Sequence, residues 1–179
     1  EIIEPLIEKY IGSLKSLDRN DVFIDHNIRR NQNKEYIEYV EEDPKKATVI
    51  RIYNKEFNYS YKEKIKSRLL FSILDKLLFD EVREKDNLVY SISASKNFDQ
   101  KIPIELMSFY TYFNSDPKNV DKIKDKIDLI INKIKTKNFD LQIFKDQKLA
   151  LKNSYKSSLR SNGFWLNVLT DARQHNLNI

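Results

Sequence analysis

The chain reads as an α+β domain, a mostly antiparallel sheet with helices packed on it. Three observations carry this. Helical and strand-like stretches follow the order helix, two strands, helix, two strands, three helices. That order lacks the strict βαβα repetition of a doubly wound fold, and helices segregated over an antiparallel sheet are the α+β solution. The length of 179 residues fits one domain at about 150 residues per domain. No internal repeat or low-complexity linker divides it, so residues 1–179 are read as a single domain. With Glu1 first and Met107 the one methionine, that domain is read as a fragment of a longer chain.

Residues 2–14 place Ile3, Leu6, Ile7, Tyr10, Ile11 and Leu14 on one helical face, and Pro5 is tolerable in a first turn. Gly12 with Ser13 marks the end of that helix. Residues 15–34 are polar and irregular. Residues 35–41 and 47–54 are rich in β-branched and aromatic side chains. The Asp43-Pro44-Lys45 turn chemistry between them predicts two neighbouring strands.

Ser60-x-x-Glu63 predicts a capping box, in which each side chain satisfies a free N–H of the other residue. The helix it opens runs to about Lys85. Its apolar residues, Ile65 to Val82, cover more than one stripe, so it is the central, most buried helix. Asp86-Asn87 ends it, with Asn as the usual substitute for Gly at a left-handed position. Residues 88–96 then alternate, with Tyr90, Ile92 and Ala94 opposite Ser91, Ser93 and Ser95, which predicts a half-buried strand. Pro103 opens a further strand over 104–113. Ser115-Asp116-Pro117 starts a helix with Pro in its first turn. Val120 to Ile134 keep helical period and are expected in the core. Asp140 caps the next helix, Asn162-Gly163 breaks it, and a last helix carries Trp165, also expected in the core, to His175.

Composition narrows the chemistry. The chain has no Cys, which removes thiol nucleophiles, Cys-ligated zinc and disulfides. Two Gly, Gly12 and Gly163, cannot build a phosphate-cradling loop. The two His, His26 and His175, lie far apart and outside any H-x-x-E-H spacing, so no metal ligand and no cofactor is assigned to this fragment. The net charge of +5 is mild and its lysines alternate with acids, the pattern of a solvated surface and not of a nucleic-acid footprint. No run approaches the roughly 18 apolar residues of a membrane span.

One segment carries chemistry. In Leu78-Phe79-Asp80-Glu81-Val82-Arg83-Glu84-Lys85-Asp86-Asn87-Leu88-Val89-Tyr90-Ser91, Arg83 closes the buried helix and Tyr90 opens the next strand, seven residues on. A short connection can bring both to one end of the sheet. A guanidinium and a phenol there can grip peptide carbonyls, and donors placed where negative charge develops act as an oxyanion clamp. By local sequence alone, the simpler reading is that Tyr90 is a core or rim tyrosine and Arg83 an ordinary surface ion-pair partner of Glu81 or Glu84.

This segment resembles the second-domain signature of the pitrilysin/insulinase family of zinc peptidases. That signature runs hydrophobic-Arg-Glu, then Gly-hydrophobic-x-Tyr-Ser, with the same Arg-to-Tyr separation. Two more stretches are similar to family segments. Tyr10-Ile11-Gly12-Ser13-Leu14 matches Tyr-hydrophobic-Gly-x-Leu, and Asn162-Gly163-Phe164-Trp165-Leu166 matches the Asn-x-aromatic-Trp-Leu segment of the bacterial fused-half members. The resemblance implies the C-terminal, non-zinc-binding domain of such a peptidase. Arg83 and Tyr90 would then contact the backbone of a peptide substrate near the scissile bond. Zinc and the general base would lie in a zinc-bearing domain of the same chain or a partner, across a closed chamber. The full-length protein would be a zinc-dependent endopeptidase, and this fragment alone inactive for want of H-x-x-E-H. The alternative is a non-catalytic, peptidase-like scaffold or assembly subunit. Asn87 departs from the family's Gly.

Overall fold

The computed structural model describes residues 3–17, 22, 24–29, 45–99 and 104–175. Three strands, β1 (Ala47–Glu56), β2 (Ser91–Asp99) and β3 (Leu106–Ser115), form an antiparallel sheet in the order β1-β3-β2. Ala47 lies opposite Ser115 and Glu56 opposite Leu106, while Ser91 lies opposite Asn114. β1 and β2 are therefore parallel to each other with one place between them. Helix α2 (Tyr61–Leu78) makes the crossover, and β3 fills the gap, a split βαβ arrangement. The expected α+β architecture is observed, with helices on one face of an antiparallel sheet. The strand expected at 35–41 and the Pro103 strand start lie outside the described residues.

The core forms where α2 and α3 (Val120–Lys135) meet the sheet. Ile123, Ile127 and Ile130 are fully buried, as the isoleucine stripe predicts, and so are Leu78, Val82 and Phe113. Phe71 of α2 lies 5.4 Å from Phe109 of β3, ring centre to ring centre. Asp75 of α2 accepts the Ala94 N–H at 2.8 Å, which satisfies an outward backbone donor of β2.

Capping follows the sequence in part. The Ser60 hydroxyl accepts from the Glu63 N–H, but Glu63 turns its carboxylate to Lys66, so only one arm of the capping box forms. The Asp140 carboxylate accepts from Gln142 N–H at 2.8 Å and opens α4 (Leu141–Ser158). The Asp116 carboxylate accepts from Lys118 N–H before α3.

The central helix runs to Lys85 as expected, with its last turns, Phe79–Lys85, in π-helical form. Two expectations need correction. Trp165 of α5 (Asn162–His175) is 43% exposed, its indole N–H held by the Leu159 carbonyl. Local periodicity cannot tell a core-facing stripe from one that no described element covers. The same holds for α1 (Ile3–Ile7) and the π-helical turn Glu8–Gly12, whose apolar residues are all exposed. Finally, β2 begins at Ser91, so Tyr90 stands just before the strand instead of within it.

Candidate functional site

The site segment is built on the wide end of α2. Val82 is fully buried among the core residues and fixes the π-helix against the sheet. On its other side, Glu81 accepts from Lys133 of α3 at 2.7 Å, and Lys126 of α3 bridges to Asp86 at 3.0 Å. The Lys126 hydrogen bond holds the Asp86 carboxyl below its ordinary pKa. Glu81 is thus engaged with α3 and is not the ion-pair partner of Arg83.

The chain leaves the π-helix through Asn87, which adopts φ 49°. Asn is one of the few residues that enters this left-handed region at modest cost. The Asn87 N–H donates to the Arg83 carbonyl and the Leu88 N–H to the Val82 carbonyl, both at 3.1 Å. Each bond reaches one residue farther back than in the usual α-helical C-cap, as a wider last turn requires. Leu88 and Val89 then dive into the core, and the Tyr90 N–H donates to the Asn114 carbonyl of β3 at 2.8 Å.

Both predicted site residues emerge from this connection into solvent. Arg83 is exposed, with its guanidinium 5.1 Å from the Phe79 ring centre, a cation–π contact one turn back. Tyr90 is 60% exposed. Among the described residues, no hydrogen bond or ion pair joins Arg83 to Tyr90. They share one connection, as two separate donors, and do not form a preassembled pair.

Two neighbours of the site were not legible in the sequence. Asn114 is buried beneath Tyr90, and its side chain donates to Ser91 Oγ (3.0 Å) and to the Tyr112 hydroxyl (2.6 Å) while accepting from Thr48 Oγ1 (2.6 Å). Lys118 is near enough for its ammonium to feel the Tyr90 phenol, though its raised pKa comes first from hydrogen bonding to Asp116. Asn114 is brought to Tyr90 by strand pairing across 24 residues and Lys118 by the turn that follows β3, which no local pattern encodes.

A family model described as the Peptidase M16 inactive domain matches residues 1–151. The chain belongs to the M16 (pitrilysin/insulinase) peptidase family. It is the C-terminal, inactive domain of M16, as the resemblance in three short stretches implied. Among solved structures it is similar to the periplasmic protease PqqL from Escherichia coli, with a TM-score of 0.75 at 17% identity. The match covers 97% of this chain and 19% of that one, so the chain spans about a fifth of that protease's length. At this identity the likeness concerns the fold. No curated protein sequence matches the chain.

The described residues do not fit a zinc centre. Among the described residues, no group of three or more His, Cys, Asp or Glu side chains could hold a metal ion. His26 is exposed in an irregular stretch, and the side chain of His175 lies outside the described residues. No described helix is long and apolar enough to cross a membrane.

Proposed function

We propose that this M16 domain is the substrate-binding, chamber-completing part of a zinc-dependent endopeptidase whose metal and general base lie in another domain. The observation that carries the reading is the placement of Arg83 and Tyr90. Both are exposed on one short connection whose backbone is fixed at every step, by Val82, by Asn87 and by Asn114. A phenol on a rigid backbone can donate its O–H to a peptide carbonyl oxygen and keep donating as negative charge builds there. Donors of this kind act most strongly when they need no reorganisation. Arg83 holds a neighbouring main-chain carbonyl, for which its cost of ordering is reduced by the Phe79 contact. The peptide is the partner on one side and the zinc-bearing domain the partner on the other.

The test is Tyr90→Phe in the full-length protein. The substitution removes one hydroxyl and leaves the ring. We expect kcat to fall by about 10²–10³-fold with little change in KM, as for loss of a transition-state donor. Turnover at the level of the unsubstituted protein would refute the role of Tyr90. A scaffold function is the alternative, since an inactive M16 domain could serve either an active peptidase or a non-catalytic protein. A full-length protein that contains no stoichiometric zinc and cuts no peptide would decide for it.

A further inference from the structure

The face of the sheet turned away from α2 and α3 has an unusual charge pattern. An antiparallel sheet with one covered face normally keeps apolar residues inside and polar or charged residues outside. Here the order is reversed for charge. The cations of the three strands, Arg51, Lys55 and Lys96, all fall on the helix-side parity of the register. Arg51 is compensated there by Asp128 at 2.9 Å and the Lys124 carbonyl at 3.2 Å. On the open side, four successive cross-strand rows, from Thr48–Asn114–Ser91 to Asn54–Ser108–Asn97, contain no charged residue. Charge returns in the fifth row, where Glu56 and Asp99 flank Leu106. In a chain that is 33% charged, so long a neutral track on a face that no described element covers is not a generic solvated surface.

Its chemistry is specific. β2 contributes small hydroxyl and amide side chains, and β1 and β3 contribute Ile50, Ile52 and Tyr110, at 58%, 63% and 37% exposure. The rows cover about 20 Å along the strands and about 10 Å across them, from strand rise and spacing. That suits one extended chain of about six residues. Nucleic acid is a poor occupant, since no cation is present to meet phosphate. A charged peptide side chain laid on this track would shed water and meet no countercharge. A neutral one can stack on the isoleucines and tyrosine and bond to the serines. The track begins at the candidate site, because Asn114, which accepts the Tyr90 N–H, also ties together Thr48, Ser91 and Tyr112 in its first two rows.

We propose that this open sheet face is a specificity surface that accepts an uncharged, extended stretch of the substrate polypeptide running away from Tyr90. The proposal rests on the reading of the domain as substrate-facing and adds a substrate class to it.

The test uses the full-length protein and three labelled, unstructured peptides of equal length. One is neutral and rich in Ser, Asn, Leu and Tyr, one carries a central Glu and one a central Lys. By fluorescence anisotropy, the neutral peptide should bind about tenfold more tightly than either charged one. Ser93→Lys on β2, or Ile52→Lys on β1, should improve binding of the Glu peptide and weaken that of the Lys peptide. Circular dichroism checks that each variant is folded, and if neither folds, the preference of the unsubstituted protein decides alone. Binding of all three peptides within about twofold overturns the proposal, as does an unchanged order in the folded variants. The same ranking should appear in kcat/KM. If nothing is cut, or Tyr90→Phe has no effect, the catalytic reading fails while the binding experiment still decides the role of this face.

Discussion

Thr111 sits in the middle of the central strand and is fully buried, and among the described residues its hydroxyl has no hydrogen-bond partner. Its cross-strand neighbours are Arg51, already committed to α3, and Ala94. A buried hydroxyl without a partner costs about 1–3 kcal/mol by comparison with substitution data. Thr111→Val replaces it with a methyl group of nearly the same shape and keeps β-branching, so no cavity opens and strand preference is retained. The expected gain is about 1–2 kcal/mol. For 179 residues, an unfolding entropy of roughly 2.1 cal/mol/K per residue turns this into a Tm rise of about 3–5 °C. Differential scanning calorimetry reads it directly, with a urea melt as a second measure. Thr111→Ser, which keeps the hydroxyl and loses the methyl, should lower Tm. A Thr111→Val protein with unchanged or lower Tm would refute the reasoning and mean that the hydroxyl is satisfied, for instance by a buried water.

Two further outcomes follow from the site segment. Asn87→Val forces a β-branched residue to φ 49° and should cost about 1–2 kcal/mol in a urea melt, whereas Asn87→Gly should be nearly neutral. Equal melts for the two variants would remove the left-handed turn from the account. Asp86 has its carboxyl pKa depressed by Lys126, so whatever its pair contributes is present above the ordinary carboxylate pKa and is lost as pH falls through the depressed one. An NMR titration should find its midpoint below that of an unpaired aspartate, and Lys126→Met should move it upward; no movement would separate the two groups.

The parts of the fold that were legible in the sequence are those set by neighbours along the chain. The isoleucine stripe of α3 needed only helical spacing, and Ile123, Ile127 and Ile130 are buried as that spacing requires. Asn87 needed only its place after a helix, and Asp140 only its place before one. Where the outcome depended on distant contacts, local reading failed. Trp165 has an amphipathic setting like that of Ile127, yet no described element covers it. α2 widens into a π-helix where Val82 enters the core and Glu81 meets Lys133, partners 52 residues apart in the second case.

The sequence by itself determined the class of domain, the family and the pair Arg83 and Tyr90 as candidates, because these rest on periodicity, order of elements and short spacings. Only the tertiary structure decided how those residues are presented. It placed Tyr90 outside the strand on the Asn114 carbonyl and sent Arg83 back over Phe79. It also gathered twelve uncharged positions from three strands onto one face that no described element covers. The physical reason is register. A strand's own alternation says which residues share a face, but which strands lie side by side, and at what offset, is settled only when the helices cover the other face of the sheet.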